Sequence, residues 1–461
     1  MALNLAGAGG HVAVVGGPLS GKSMMLRSIV ASLALTHSPL EVQFYVIDCG
    51  GGAFSSMDGL EHVSGIAAGN EDEKVRRTLA EVSGIIDARE RFFKEQRIDG
   101  MDAYRRRRAE GKVDDGYGDV FLVIDGWGVF RGDYDELETK VQQIVARGLT
   151  FGVHVLFSAN RWMEIRANIS DLISTKLELR LGDPSDSQID RHVADTVPKG
   201  APGRGLSANK LHTLAALPRI DGGHDAATVS DGINDLIAKV RSAWQGHPHG
   251  PKLRLLPENL PYEAMMASVM RQKASNQLAK GNMVVGIDEN ALSPVVFDFN
   301  TEPHCYLFGD AGSGKSTFLR VIINEIVRSY PDGKAKIFML DYRRANLAQI
   351  PQSHFGAYLT NDEQATESLD ALAEFLKTRI PGQDVTAEQL RDRSWWTGSE
   401  VYVLVDDYDL VSTSRGNPLR ALVPYLAQAS DLGCMWWWPA EPAVRAEPCT
   451  IRYCRRSMIS A

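Results

Sequence analysis

Two eight-residue stretches of the chain place glycines, a lysine and a serine at the same spacing. They are Gly16-Gly17-Pro18-Leu19-Ser20-Gly21-Lys22-Ser23 and Gly309-Asp310-Ala311-Gly312-Ser313-Gly314-Lys315-Ser316. In the pattern G-x-x-x-x-G-K-[ST] the backbone N–H groups point at phosphate oxygens, the lysine adds a positive charge and the hydroxyl binds Mg²⁺. Each stretch follows an apolar run and precedes a helix-compatible segment, which is the context of a phosphate-binding loop. The sequence therefore predicts two sites for ATP, with Ser23 and Ser316 as Mg²⁺ ligands.

A carboxylate ends a second apolar run in each half of the chain. Phe121-Leu122-Val123-Ile124 leads to Asp125, and Tyr402-Val403-Leu404-Val405 leads to Asp406. Such runs are typical of buried strands, and a carboxylate at their end acts on Mg²⁺ in nucleotide-binding proteins. We therefore predict that Asp125 and Asp406 complete the two nucleotide sites through a Mg²⁺-bound water.

Hydrolysis also requires an acidic residue that orients or deprotonates the attacking water, commonly the residue directly after that carboxylate. The chain has Gly126 there in the first half and Asp407, a shorter carboxylate than glutamate, in the second. Asp407 is the candidate catalytic residue, and we expect weak hydrolysis or none. The alternative is that Asp48 or Asp341 takes over this role.

The two halves resemble each other beyond these motifs. His11 and His304 precede their lysines by the same 11 residues (22 − 11, 315 − 304). Apolar runs also end at Asp48 and Asp341, each 26 residues after the lysine (48 − 22, 341 − 315). Self-similarity at such a long period predicts repeated domains.

Alternating strand and helix patterns predict an α/β fold of two tandem P-loop modules with mainly parallel sheets, the second incomplete. We place the first module at 1–217 and the second at 283–433. Between them, 218–282 reads as a connector that contains an amphipathic helix and a linker, since apolar residues from Val229 to Trp244 recur at helical spacing.

Cys434 begins a stretch that departs from the repeat. Cys434-Met435-Trp436-Trp437-Trp438-Pro439 stands where the first half has Val153-His154-Val155-Leu156-Phe157. Proline and consecutive tryptophans are unusual in a central strand. Because Met and Trp have one codon each, these codons read one nucleotide earlier encode three valines. We therefore predict that a frameshift replaced the C-terminus, that this strand is lost and that 434–461 form an aberrant, poorly packed tail; a genuine divergent tail is the alternative.

Composition narrows the class of protein. The chain has 461 residues, five cysteines and a formal net charge of −8. We found neither an apolar run of the roughly 18 residues that a membrane span needs nor a signal peptide, and the cysteines follow no pairing pattern. These features predict a cytoplasmic protein without a direct membrane span, and the acidic balance makes nucleic acid an unlikely partner. Arg105-Arg106-Arg107-Arg108 accordingly reads as a solvated segment.

The paired modules carry a family resemblance. Gly152-Val153-His154-Val155 followed by Arg161-Trp162, and Arg393-Ser394-Trp395-Trp396 ahead of the second carboxylate strand, resemble the type VII secretion ATPases. These are the EccC proteins, within the FtsK/SpoIIIE class of motor ATPases. The resemblance extends to about Gly433 and corresponds to the second and third ATPase domains, as in the soluble half of split EccC proteins.

The resemblance implies RecA-like modules, a homo-hexamer and a role as an ATP-binding component of a type VII secretion motor. It implies as partners a membrane-bound EccC half, other secretion-complex subunits and small helical secreted substrates, at the cytoplasmic side of an inner-membrane complex. It also implies that a first ATPase domain performs most of the hydrolysis. The alternatives are an FtsK-type DNA translocase, which the acidic balance disfavours, and a non-functional product of a decayed gene.

Overall fold

The structure is a computed structural model and describes residues 3–5, 7–271, 280–289, 292–414 and 416–440. Contacts divide the chain into two units. The first unit is Met1–Leu256 with Glu289–Leu292, and the second unit is Pro257–Asp288 with Ser293–Ala461. No helix within the described residues is both long and apolar enough to cross a membrane.

The first unit is built on one sheet of eight strands. Its strands are β1 Val12–Val15, β2 Val42–Asp48, β3 Val63–Ala68, β4 Asp119–Asp125, β5 Val153–Ala159, β6 Thr175–Leu179, β7 Arg204–Leu206 and β8 His212–Leu214. The strand order is β3-β2-β4-β5-β1-β6-β7-β8, parallel from β3 to β6 and antiparallel beyond. β1, β2 and β5 are buried along their whole length, as is usual for strands covered on both faces.

Helices cover both faces of this sheet. They are α1 Lys22–Thr36, α2 Asp72–Gln96, α3 Met101–Ala109, α4 Trp127–Asp133, α5 Glu138–Gly148, α6 Ala167–Ser170, α7 Arg191–Asp195 and α8 Val229–Trp244. The amphipathic helix predicted between the modules is therefore present as α8. Its apolar side, with Ile233 and Leu236, packs into the core of the first unit together with α1 and β2.

The second unit repeats the same strand order over fewer strands. Its strands are β9 Asn282–Ile287, β10 Pro294–Asp298, β11 His304–Phe308, β12 Ala335–Leu340, β13 Phe355–Leu359, β14 Glu400–Val405 and β15 Cys434–Ala440. β9 and β10 form a hairpin, and the parallel sheet runs β11-β15-β14-β12-β13. This matches β1-β5-β4-β2-β3 of the first unit strand for strand. The predicted α/β fold of two P-loop modules with mainly parallel sheets is confirmed. Within the described residues the second unit has no counterparts of β6, β7 and β8.

The helices of the second unit are shorter on average. They are α9 Tyr262–Arg271, α10 Lys315–Ser329, α11 Asp362–Lys377, α12 Ala387–Asp392, α13 Tyr408–Val411 and α14 Ala429–Leu432. Side chains cap two of them, since Asn361 accepts the N–H of Gln364 at α11 and Thr386 forms a capping box with Gln389 at α12.

The prediction that the strand after Gly433 is lost is wrong. β15 lies between β11 and β14, paired in parallel with both. Met435, Trp436 and Trp437 are buried there, because a strand covered on both faces requires apolar side chains and large aromatic rings meet that requirement. Pro439 is tolerated because the β14 pairing ends at Trp437, so its missing N–H falls near the end of the strand. Residues 441–461 lie outside the described residues, and the frameshift stays a prediction about the gene.

Candidate nucleotide sites

The first phosphate loop joins β1 to α1 at the carboxyl edge of the sheet. Gly21 precedes α1 with a φ of 100°, in the left-handed region that favours glycine. Lys22 Nζ donates to the carbonyl of Gly17 at 3.0 Å, which folds the lysine back over the loop. Leu19 at the tip is 93% exposed and has a φ of 58°, whereas Gly312 stands at this position in the second loop. The loop therefore has the shape and the positive charge to hold phosphate.

Asp125 at the end of β4 faces this loop. Its Oδ1 accepts a hydrogen bond from the hydroxyl of Ser158 on β5. The nearby hydroxyl of Ser23 acts to lower the pKa of the carboxyl. Its Oδ2 is buried and has no hydrogen-bond partner among the described residues. Burial raises the pKa of Asp125, and the nearby Asp48 adds to the rise. A buried carboxylate oxygen without a donor, next to a serine hydroxyl, suits a Mg²⁺ ion and its water ligands.

Gly126 occupies the position of the missing catalytic carboxylate, and both its φ and its close backbone neighbours disfavour a side chain there. Its φ is 88°. A Cβ atom there would lie 3.0 Å from the carbonyl carbon of Cys49 and 3.1 Å from both its oxygen and the Gly50 nitrogen. Because these are backbone atoms, they cannot move aside as the end of a side chain would.

A carboxylate that the sequence analysis did not consider lies at the same site. Glu164 ends the one-turn helix Trp162–Glu164 that follows β5. Its Oε2 accepts the N–H of Asn160 at 2.9 Å, while Trp127 Nε1 and an Arg131 guanidinium nitrogen both donate to its carbonyl oxygen. The spacing between Asp125 and Glu164 follows no nucleotide-site motif, so only the fold brings the two together.

In the second site the lysine is held more tightly. Lys315 Nζ donates to the carbonyls of Gly309 at 2.7 Å and of Asp310 at 2.9 Å, and the side chain is buried. The hydroxyl of Ser316 donates to Asp406 Oδ1 at 3.1 Å. The predicted loop residues, the serine and the carboxylate therefore lie together here as they do in the first unit.

Asn346, which the sequence analysis also missed, links the two carboxylates of the second site. Its Nδ2 donates to Asp406 Oδ2 at 3.0 Å and to Asp341 Oδ2 at 3.3 Å. Burial raises the pKa of Asp406, while the hydrogen bonds from Ser316 and Asn346 act in the opposite direction. Both oxygens of Asp406 thus have protein donors, unlike those of Asp125.

Asp48 and Asp341, the alternative catalytic carboxylates, are engaged in holding loops. Asp48 accepts the backbone N–H groups of Gly50, Gly52 and Phe54. Asp341 accepts those of Ala345 and Asn346 and the hydroxyl of Tyr358. Both carboxylates therefore anchor the loops that follow β2 and β12, and protein donors already occupy the oxygens that a water molecule would need.

Asp407, the candidate catalytic residue, follows Asp406 in a left-handed conformation with a φ of 51°. Its Oδ2 forms an ion pair with Nε of Arg343 at 3.0 Å. Asp407 therefore lies near the site, but the guanidinium of Arg343 occupies one of its carboxylate oxygens.

The sequence model of the FtsK/SpoIIIE family matches residues 1–221 and 264–416. The ESX secretion system protein EccC of Thermomonospora curvata is 46% identical over 432 residues, which cover 94% of this chain and 32% of that protein. The ESX-1 secretion system protein EccCb1 of Mycobacterium tuberculosis is 38% identical over 439 residues, which cover 94% of this chain and 74% of that protein. The chain thus spans about a third of the first relative and about three quarters of the second.

A solved structure of T. curvata EccC (ATPases 2 and 3) in complex with a signal sequence peptide superposes with a TM-score of 0.85 at 45% identity. The match covers 95% of this chain and 78% of the T. curvata chain. EssC (ATPases 2 and 3) from Geobacillus thermodenitrificans gives a TM-score of 0.61 at 18% identity, which shows the shared fold. The chain belongs to the FtsK/SpoIIIE family, among the EccC ATPases of type VII secretion systems, and corresponds to their ATPases 2 and 3.

Proposed function

We propose that this chain is the ATP-binding part of a type VII secretion motor, in which two degenerate ATPase modules couple nucleotide binding to the recruitment of secreted substrates. The observation that carries the proposal is the pairing of a complete phosphate loop with a defective catalytic position in each unit. Gly126 has no side chain and Asp407 is ion-paired, whereas Lys22 and Lys315 both lie in their loops. Such sites favour binding over turnover.

ATP and Mg²⁺ are the proposed ligands of both sites. Proteins of this P-loop family bind nucleotide, generally with Mg²⁺. The lysines and the loop N–H groups would contact the phosphates, and the serines with Asp125 and Asp406 would hold the metal and its water. The unpartnered Oδ2 of Asp125 supports this assignment at the first site. At the second site the ion would displace Asn346 from Asp406 or share it, since Asn346 now donates to that carboxylate.

The proposed setting is the cytoplasmic side of a secretion complex in the inner membrane. The relatives are secretion-system proteins, which supports this setting over a DNA translocase. We propose that the chain assembles as a hexamer with a membrane-bound EccC half, and that it recruits small helical substrates. The signal sequence peptide bound to ATPases 2 and 3 of T. curvata EccC supports the last point. We propose a first module at 1–217 and a second module that begins at 283 and includes β15, joined by 218–282.

Calorimetric titration with Mg·ATP tests the proposal in the wild type, Lys22→Ala and Lys315→Ala. The wild type is expected to bind two nucleotides and each variant to bind one tightly. The affinity of the altered site should fall at least about tenfold, because the lysine ammonium group that contacts the phosphates is removed. Lys239→Ala, which removes an exposed lysine of α8 paired with Asp235, is the matched control.

Undiminished binding in both loop variants would contradict nucleotide binding at these loops. Fast ATP turnover that either change abolishes would contradict the degenerate sites instead, because it would show that a complete catalytic centre exists there.

A further inference from the structure

We propose that Glu164 is the residue that orients and deprotonates the attacking water at the first nucleotide site, in place of the carboxylate that Gly126 lacks. The inference rests on the proposed binding of ATP at Lys22 and deepens it. It gives the first unit slow ATP hydrolysis of its own.

The position of β5 puts Glu164 at the reacting end of the nucleotide. β5 lies between β1, which leads to the phosphate loop, and β4, which ends at Asp125. Val15 and Ala159 are register partners, and the N–H of Gly16 donates to the carbonyl of Ala159 at 3.1 Å. The chain leaving β5 therefore passes directly beside the first residue of the loop, where the terminal phosphate of a bound nucleotide belongs.

The carboxylate of Glu164 lies beside the start of α4, two residues after Gly126. Its hydrogen bond to the N–H of Asn160 brings it to the end of β5. A Cβ atom on Gly128, at the start of α4, would lie 2.8 Å from Glu164 Oε2 and 2.9 Å from its carboxyl carbon. Glu164 thus lies over the beginning of the helix that follows Asp125, and Gly128 is small enough to admit it.

Glu164 is held in this place by groups that need no nucleotide. Trp127 is buried, and its Nε1 donates to the Glu164 carbonyl at 3.0 Å. Arg131 donates to the same oxygen at 2.5 Å and is itself paired with Glu138. A residue whose backbone is fixed by two side chains needs little reorganisation before it acts, which is a requirement of an efficient base.

The charge of Glu164 also reaches the loop lysine. Burial lowers the pKa of Lys22, and the carboxylates of Asp125 and Glu164 oppose that shift. Glu164 therefore acts electrostatically on the same ammonium group that would contact the phosphates. Although Glu164 is distant from Asp125 in the sequence, both carboxylates act on the same lysine.

The proposed step balances without any further reactant. The oxygen of water forms a bond to the γ-phosphorus of ATP as the bond from that phosphorus to the β–γ bridging oxygen breaks, and ADP leaves with the electron pair. Glu164 accepts the proton that the water loses and returns it to the released phosphate or to solvent. General bases of this kind contribute about 10²- to 10⁴-fold to a rate.

The sequence has no glutamate at the same spacing in the second half of the chain. Glycine precedes the central strand in both units, at Gly152 and Gly433, and Glu164 follows the first of them by 12 residues. Twelve residues after Gly433 stands Arg445, outside the described residues and of opposite charge. We therefore expect hydrolysis at the first site alone.

The experiment compares the wild type with Glu164→Gln, which keeps an oxygen for the N–H of Asn160, and with Glu164→Asp. One readout is the ratio of the dissociation constants for Mg·ADP and Mg·ATP, and the other is ADP formed over hours. Removal of a negative charge that faces the terminal phosphate should shift the ratio in favour of ATP by severalfold. ADP formation should fall about 10²-fold or more in Glu164→Gln and less in Glu164→Asp.

Three further variants separate the explanations. Glu136→Gln makes the same chemical change at an exposed glutamate paired with Arg76 and should behave as wild type. Lys239→Ala, at an exposed lysine paired with Asp235, should keep the wild-type rate, and Lys22→Ala should abolish ADP formation.

Turnover that survives Glu164→Gln but not Lys22→Ala would overturn the role of Glu164 and leave ATP binding intact. So would a wild type that binds ATP at Lys22 but forms no ADP. Loss of ATP binding in Glu164→Gln would make Glu164 a structural residue, which also overturns the inference. ATP binding that neither Lys22→Ala nor Lys315→Ala reduces would instead refute the proposed function.

Discussion

The residue after each carboxylate strand shows how one backbone conformation limits the chemistry. Gly126 and Asp407 both adopt the left-handed region, with φ of 88° and 51°. Glycine adopts it freely, aspartate tolerates it because its short polar side chain can hydrogen-bond locally, and for other residues the Cβ atom carries a steric penalty there. The lack of a glutamate at these positions therefore matches the conformation that the chain adopts after Asp125 and Asp406.

Gly126→Glu should accordingly fail to restore a standard catalytic site. Strain at the left-handed position and the contact of the new Cβ with the Cys49 backbone should lower the free energy of unfolding by about 1–3 kcal/mol, without faster ATP turnover. Chemical denaturation and an ATPase assay measure both effects. The control is Gly132→Glu, because Gly132 has open space at its Cβ and no positive φ. A stable Gly126→Glu variant with faster turnover would contradict the steric explanation.

At the scale of elements, ion pairs attach α3 to the sheet of the first unit. Arg105 donates to Asp119, the first residue of β4, with two hydrogen bonds of 3.1 and 2.8 Å, and Arg108 pairs with Asp114. The basic run predicted as a solvated segment thus satisfies carboxylates of its own unit through two of its four arginines. His154 Nε2 lies 3.6 Å from the same Asp119.

Asp119→Asn should remove a pH-dependent part of the stability. Burial alone would raise the pKa of Asp119, but the adjacent His154 and Arg105 lower it to about 2. The ionised form is thus favoured in the folded state, so this stabilisation is complete above about pH 4 and is lost as the pH falls to about 2. A shift of this size corresponds to about 2 kcal/mol.

Denaturation across this pH range measures the free energy of unfolding of the wild type and of Asp119→Asn. The difference between the two should disappear as the solution becomes acidic. Asp102→Asn is the control, since Asp102 also pairs with Arg105 but is almost fully exposed, and exposed pairs contribute about 0–1 kcal/mol. A difference in the free energy of unfolding between the wild type and Asp119→Asn that stays constant with pH would contradict the assigned ion pair.

At the scale of the whole molecule, the chain consists of two units with matching sheets that depend on their central strands to different degrees. In the first unit three strands extend the sheet beyond β1, whereas in the described part of the second unit β11 forms the edge and meets the rest of the sheet only through β15. Trp437 on β15 packs against Phe318 and Phe297 in one core cluster of this unit, and Trp436 packs in the other. The second sheet is therefore held together by the segment whose sequence departs most from the repeat.

A chain that ends at Gly433 should lose the fold of the second unit and keep that of the first. Without β15, the strands β11 and β14 lose their shared partner, and unpaired buried backbone groups are unfavourable at each position. Hydrogen exchange should show amide protection lost in β11, β12 and β14 and retained in β1, β2 and β4. Trp437→Ala in the full chain should also destabilise the second unit, but less completely, by lowering its free energy of unfolding by about 3–5 kcal/mol. Unchanged protection of β14 in the shortened chain would contradict this role of β15.

The sequence by itself determined the features that depend on neighbouring residues. The two phosphate loops, the strands that end at Asp125 and Asp406, and the repeat of two α/β modules follow from contiguous patterns, because a loop before a helix and an apolar run before a carboxylate are local properties of the chain. The amphipathic helix at Val229–Trp244 was predicted for the same reason.

The tertiary structure decided the rest, because it depends on which strand ends meet at one edge of a sheet. Ser158, Glu164 and Asn346 reach the nucleotide sites from strands and loops far away in the sequence, and no spacing marks them. The strand at Cys434–Ala440 was missed because consecutive tryptophans and a proline are unusual in a central strand. The tertiary structure accepts them because both faces of the sheet bury Trp436 and Trp437, and the β14 pairing ends before Pro439. Its place in the sheet, rather than its local sequence, made it a strand.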